Sequence, residues 1–209
     1  MSCFFKSRLY VCNNYNSRIE VFDKDDGKHV ASHGNGWGSG ANQLYKPCGI
    51  AIAQDGTMHI ADGGSHRIQM LNSHGVFIKT FCKKGSGDGE LKCSCGVALV
   101  GNRLLIADHD NHRVATLDRK DGRQLGTTGS KGNGEGQLMH PMGVAAYGST
   151  LVVSSDHKLS IFEDLQLTGL EALRQHLCAE VSWLRGQDRV LADVVSALVG
   201  ATDTARRWG

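Results

Sequence analysis

Apolar and polar residues alternate with period two in two neighbouring runs, HRIQML (His66–Leu71) and VFIKTF (Val76–Phe81), each bounded by Gly, Asn, Asp or Ser. On a pleated backbone such alternation turns one set of side chains toward a core and the other toward solvent, so both runs predict strands. Two short apolar runs precede them, GIAIA (Gly49–Ala53) and TMHIAD (Thr57–Asp62), separated by the turns QDG and GGS. A helix would need longer runs. The same plan returns in GVALV, RLLIAD, HRVATLD and RQLGTTG, between Gly96 and Gly129.

The recurrence is a true internal repeat. KGNGEGQLMHPMGV (Lys131–Val144) stands 47 positions after KGSGDGELKCSCGV (Lys84–Val97), which stands 47 after WGSGANQLYKPCGI (Trp37–Ile50). Gly49, Gly96 and Gly143 share one position of that register, and Leu44, Leu91 and Leu138 another. The first unit, LYVCNNYNSRIEVFDKDDG, aligns with MHIADGGSHRIQMLNSHG and is expected to lack an innermost strand. The fourth, GVAAYGSTLVVSSDHKLSIFED, supplies three strands. The expectation is an all-β fold over residues 1–164, a partial propeller of about three and a half four-stranded blades. One such sheet cannot bury both its faces and must stack on neighbours.

The blade pattern, with its Gly-rich turn, QL, PCGIAI, HIAD and SHRIQML, resembles the NHL repeat, and IADHDNHRV (Ile106–Val114) carries the likeness most fully. The NHL domain forms six-bladed propellers in the TRIM-NHL proteins, RING-type E3 ubiquitin ligases. The resemblance implies a propeller that recognises protein or RNA as a substrate-recognition domain does. It departs from the family where Ala53, Val100 and Tyr147 close the innermost strands in place of an acidic residue, and where Lys158 replaces the arginine of the fourth unit. The 209 residues contain no RING, B-box or coiled-coil segment, so ligase catalysis is not expected of them.

After Leu165 the pattern changes. Leu170, Leu173, Leu177, Val181 and Leu184 recur at three- and four-residue steps, with Thr168 and Glu171 in capping-box spacing, and a second apolar stripe runs from Leu191 to Val199. Residues 165–209 are therefore expected to form an amphipathic helical tail. Five basic and five acidic residues there argue against a membrane-surface helix. The tail is expected to cover an apolar edge of the propeller, to dimerise, or to help complete the ring with a partner.

Net charge is +2, from 23 basic and 21 acidic residues, and gives no global attraction to nucleic acid or anionic lipid. Gly outnumbers Pro 27 to 2, and the glycines sit inside the repeat as turn residues. MSCFFKSRLYVC is too short an apolar run for a secretory leader, so seven cysteines suggest a reducing, cytoplasmic setting. Cys12, Cys48 and Cys95 align with Ala or Met and are expected to act as small apolar fillers. Cys93 and Cys95 have no second pair at zinc-ligand spacing.

Asp62 with Arg67, Asp108 with Arg113, and Arg18 are expected to be structural repeat positions, with the carboxylates accepting turn amide protons and the arginines pairing nearby. The innermost strands carry no Asp, Glu or His, so no catalytic residue, metal or cofactor is expected on the axis. Lys83, Lys84, Arg119, Lys120, Arg123 and Lys131 fall in turns and could form one basic rim for a protein or single-stranded RNA ligand. The expected function is a non-catalytic binding scaffold. The alternative is a propeller hydrolase or lyase of the amidating-lyase or lactonase type.

Overall fold

The computed structural model describes residues 1–147, 149–156, 158–163 and 181–182. They form four antiparallel four-stranded sheets, each with its strands in chain order. The first holds β1 (Ser2–Phe5), β2 (Arg8–Asn13), β3 (Arg18–Asp23) and β4 (His29–His33). The second holds β5 (Pro47–Ile52), β6 (Met58–Asp62), β7 (Arg67–Leu71) and β8 (Phe77–Phe81). Between it and the third lies a short parallel pair, β9 (Lys83–Lys84) and β10 (Glu90–Leu91). The third sheet holds β11 (Ser94–Val100), β12 (Arg103–Asp108), β13 (Arg113–Asp118) and β14 (Gln124–Thr128). A second parallel pair, β15 (Ser130–Lys131) and β16 (Gln137–Leu138), leads to β17 (Gly143–Tyr147), β18 (Thr150–Ser155), β19 (Lys158–Phe162) and β20 (Val181–Ser182).

This is a four-blade propeller arrangement. The innermost strands pack in sequence, β1 on β5, β5 on β11 and β11 on β17. The Met1 side chain lies 3.6 Å from where a Cβ on Gly143 would stand, which brings the first blade beside the fourth. Among the described residues, three apolar cores fill the spaces between successive blades. Ile19, Val21, Ile50, Met58 and Ile60 join blades one and two. Ile68, Phe81, Val97, Leu104 and Ile106 join two and three, and Leu105, Val114, Leu151, Val153 and Phe162 join three and four.

Two expectations change. The first blade has its innermost strand: Ser2–Phe5 pairs with β2 from Ser2 opposite Val11 to Phe5 opposite Arg8. Its two-residue turn, with Lys6 at positive φ, carries neither the Gly nor the Asn that marks most of the other turns, so the strand was not legible. The fourth blade gains β20, where Leu159 faces Val181 and Lys158 faces Ser182. Val181 thus stands in a strand rather than on a helical stripe. The other residues of the expected tail lie outside the described ones.

The Gly-x-Gly-x-x-Gln/Glu-Leu repeat has a local explanation. Gln43, Glu90 and Gln137 fold back so that a side-chain oxygen accepts the N–H of Gly40, Gly87 and Gly134 at 2.9–3.0 Å. A Cβ on Gly38, Gly85 or Gly132 would meet that same oxygen at 2.0–2.3 Å, so the first glycine leaves room for it. The loop thereby seats Leu44, Leu91 and Leu138, none of which is exposed.

Gly49 and Gly96 mark where adjacent innermost strands approach. A Cβ on Gly96 would stand 2.7 Å from the Met142 carbonyl oxygen, to which the Gly96 N–H already donates, and 2.9 Å from the Val144 nitrogen. Both obstacles are backbone, and neither can rotate away. Gly96→Ala is expected to lower stability by about 1–3 kcal/mol, while Gly126→Ala, in open space, should stay within about 0.5 kcal/mol. Urea melts of the two variants check this, and equal midpoints would refute it.

His59, in β6, is fully buried, and its pKa falls from 6.5 to about 4, chiefly through loss of solvent, with Arg119 adding to the effect. The unfolded chain takes up a proton below pH 6.5, whereas the folded chain resists until about 4. Stability is therefore complete above pH 6.5 and declines as pH falls toward 4, by on the order of 3 kcal/mol from this residue. His59→Leu should flatten that slope in melts across the interval. An unaltered slope would assign the acid sensitivity elsewhere.

Candidate functional site

One rim of the propeller is built where the β6–β7 and β12–β13 turns meet the connections that enter the innermost strands. Asp62 and Asp108, both fully buried, anchor it. Asp62 accepts the Tyr45 N–H at 2.6 Å and Arg67 Nε at 2.8 Å, and burial nevertheless raises its pKa. Asp108 accepts the Lys92 N–H at 2.7 Å, with Arg113 Nε and Asn111 Nδ2 each at 2.8 Å. The guanidinium of Arg67 then donates to the carbonyls of Ser39, Gly40 and Gln43, and that of Arg113 to those of Gly87 and Glu90. In the fourth blade Lys158 Nζ reaches the carbonyls of Asn133 and Gly134, so the lysine repeats the arginine's contacts. Arg18 holds the matching strand position in the first blade, opposite Asn13, and is exposed.

The residue just before each of these arginine positions has a fixed backbone, and in blades two and three it also joins neighbouring blades. Ser17, His66 and His112 are left-handed, at φ 53–56°. His66 Nδ1 accepts the Cys93 N–H at 2.9 Å, and His112 Nδ1 accepts the His140 N–H at 3.2 Å. Accepting nitrogens must be unprotonated, and burial holds both imidazoles below the usual range.

Near the axis these contacts gather a chemical cluster. His109 Nδ1 lies 2.7 Å from Asp110 Oδ1, and His140 Nδ1 lies 2.6 Å from Asp156 Oδ2. The His140 ring stacks on His109 at 4.8 Å and tilts against His112 at 4.5 Å. Cys93, His109 and Asp110 each bring one donor atom within 4.8 Å of the others. The Cys95 thiol donates to the Cys93 carbonyl oxygen at 3.7 Å and the Cys48 thiol to that of Lys46 at 3.3 Å. Interaction with the neighbouring Cys95 thiol lowers the Cys48 and Cys93 pKa to about 7, while that of Cys95 rises. Burial drives Cys3 up to about 11 and Cys12 and Cys82 to about 12. Cys12 thus fills space as expected, whereas Cys48 and Cys95 belong to a polar network that alignment with Met142 did not reveal.

The expected basic residues do not share one rim. Lys83, Lys84 and Lys131 lie in β9 and β15, on this side, with Lys83 3.4 Å from Glu90. Arg119, Lys120 and Arg123 lie at the far end of blade three, around the β13–β14 hairpin, where Arg119 faces Asp55 at 3.8 Å. Sequence reasoning missed the apolar members of the first rim: Tyr15 is 99% exposed, Trp37 72% and Met142 51%. Trp37 could have been found, because it aligns with Lys84 and Lys131. Between the blades runs an apolar cavity of about 240 Å³, lined by Met1, Ile50, Val97, Val144 and Leu159 among others.

Fold and rim define a β-propeller. No protein-family model matches the chain, and no curated protein sequence does. Solved structures do match. A chain of the nidogen/laminin complex aligns with TM-score 0.58 and 17% identity over 75% of this chain. Virginiamycin B lyase from Staphylococcus aureus aligns at 0.57 and 11% over 88%. The computationally designed Ika4 protein aligns at 0.52 and 12% over 78%. The chain spans 55% of each of the first two, about half their length, and 89% of the third.

The thiol network generates a reactivity prediction. At pH 7 Cys48 and Cys93 should alkylate with iodoacetamide well ahead of Cys3, Cys12 and Cys82, as read by peptide mass mapping. Cys95→Ala removes the neighbouring thiol and should slow both, returning them toward an ordinary thiol pKa of about 8.5. Labelling of Cys82 as fast as Cys93 would contradict the network.

Proposed function

We propose that this chain is a non-catalytic binding platform of NHL-repeat type that holds a protein ligand on the rim described above. One observation carries the reading: Tyr15, Trp37 and Met142 stand exposed on the same rim, from blade one, the following connection and blade four, with exposed Lys46, Lys84, Lys92 and Lys131 among them. Large exposed apolar side chains ringed by charge mark interaction surfaces, and Tyr, Trp and Met are enriched in protein interfaces. Acidic Asp88 and Glu135 on the same connections give the rim both signs of charge, which suits a protein better than a phosphate backbone. The NHL resemblance supports a recognition role. The nidogen match, a protein solved in complex with laminin, is compatible with it.

The test is selection of peptide ligands by display on the intact chain, with short random-sequence RNA measured in parallel by fluorescence anisotropy. Trp37→Ala should weaken a selected peptide by about 10-fold or more without moving the melting temperature. RNA binding that falls steeply with salt and is weakened by Lys84→Glu would replace protein with RNA as the ligand. Failure of both overturns the platform.

A second reading, a propeller hydrolase or lyase, is favoured by the stacked His109–Asp110 and His140–Asp156 pairs, which offer two general acid–base groups at the axis mouth. Turnover of an ester or lactone, lost in His140→Ala, would establish it in place of the platform.

A further inference from the structure

We infer that Cys93, His109 and Asp110 form a binding site for one thiophilic divalent cation of the zinc class. The three come from two segments that the fold clamps together. Cys93 sits in the connection into β11, at φ 59°, with its N–H donated to His66 Nδ1. His109 and Asp110 open the turn after β12, and the Asp110 N–H donates to the Lys92 carbonyl at 3.0 Å. Asp108 binds both segments, accepting the Lys92 N–H on one side and Arg113 and Asn111 on the other. The donors are thus fixed by backbone contacts that need no ion.

Their chemistry selects the ion. A sulfur, an imidazole nitrogen and a carboxylate oxygen make a mixed set that suits zinc or its transition-metal neighbours and not calcium or magnesium, which take oxygen. The three donor atoms lie within 4.8 Å of one another. Tetrahedral zinc, with bonds of about 2.0–2.3 Å, places its ligands roughly 3.3–3.6 Å apart. The 2.7 Å His109–Asp110 contact would open by less than an ångström as the ion displaces the shared proton, and a separation of up to 4.8 Å would close by roughly 1.2–1.5 Å. His140, stacked on His109 and tied to Asp156, holds the imidazole from behind. Three protein donors leave one position for water or for a group of a bound ligand. The inner strands supply none of these residues, so composition of the axis strands could not reveal the site.

The site stands or falls independently of the platform proposal. Cobalt(II) added to the purified full chain should bind at one per chain and give a thiolate-to-cobalt charge-transfer band. The band should vanish in Cys93→Ser and persist in Cys3→Ser. His109→Ala and Asp110→Asn should weaken binding by about 10-fold or more, with melting in the absence of metal checked for each. Zinc should also protect Cys93 of the unaltered chain from iodoacetamide, a readout that needs no variant. No binding, a band insensitive to Cys93→Ser, or labelling of Cys93 unaffected by zinc would overturn the assignment.

Discussion

The structure depends on a buried carboxylate at the end of the second strand of blades two and three. Asp62 and Asp108 have no access to water, and an ionised carboxylate there is tolerable only with its lone pairs filled. Each is filled from two directions, by a backbone amide of the incoming connection and by the arginine at the start of the next strand. The arginine passes the constraint on, because its rigid fork takes two or three carbonyls of the glycine-rich loop at once. Such a pair adds little net stability over a hydrophobic replacement. Its value is that removing any member strands the others, which fixes where the loop lies.

Once the loop is fixed, the residues that follow it have little freedom. Lys46, Cys93 and His140 fall in the left-handed region at equivalent places, one to three residues before the innermost strands. Cys93 and His140 are then secured by histidines of the preceding blade, and Gly49 and Gly96 let consecutive strands approach to backbone contact. The rim is consequently a rigid frame of backbone hydrogen bonds on which side chains are presented, the usual division between scaffold and binding loops.

How much of this was legible follows from what a repeat encodes. Period-two alternation and the 47-residue register report packing within a blade and between identical neighbours, and so gave the strands and the Asp–Arg positions. The strand Ser2–Phe5 escaped because its two-residue turn, Lys6 and Ser7, offers a single serine and no Gly or Asn at the left-handed position. The basic residues were grouped wrongly because successive turns of a meander alternate between the two ends of a blade. Arg119, in the β13–β14 turn, and Lys84, in the connection that follows β8, lie at opposite rims. The thiol and histidine cluster escaped for a third reason: Cys93 and His109 are joined through Lys92–Asp110 and Asp108, contacts that run across the sheet and leave no spacing to read.

The contrast between repeated and unrepeated residues also bears on where function lies. Lys46, Cys93 and His140 share one backbone conformation and one place in three successive blades, yet their side chains are a cation, a thiol and an imidazole. Nothing in the fold demands that difference, since the left-handed position is met equally by all three. The loop glutamine and leucine and the glycine of the innermost strand recur because packing requires them, and for that reason they say little about a ligand. Chemistry that distinguishes this propeller from another must sit where equivalent positions diverge. On the rim such divergent positions include Cys93, His109 and His140, whose side chains lie together at the entry to the innermost strands.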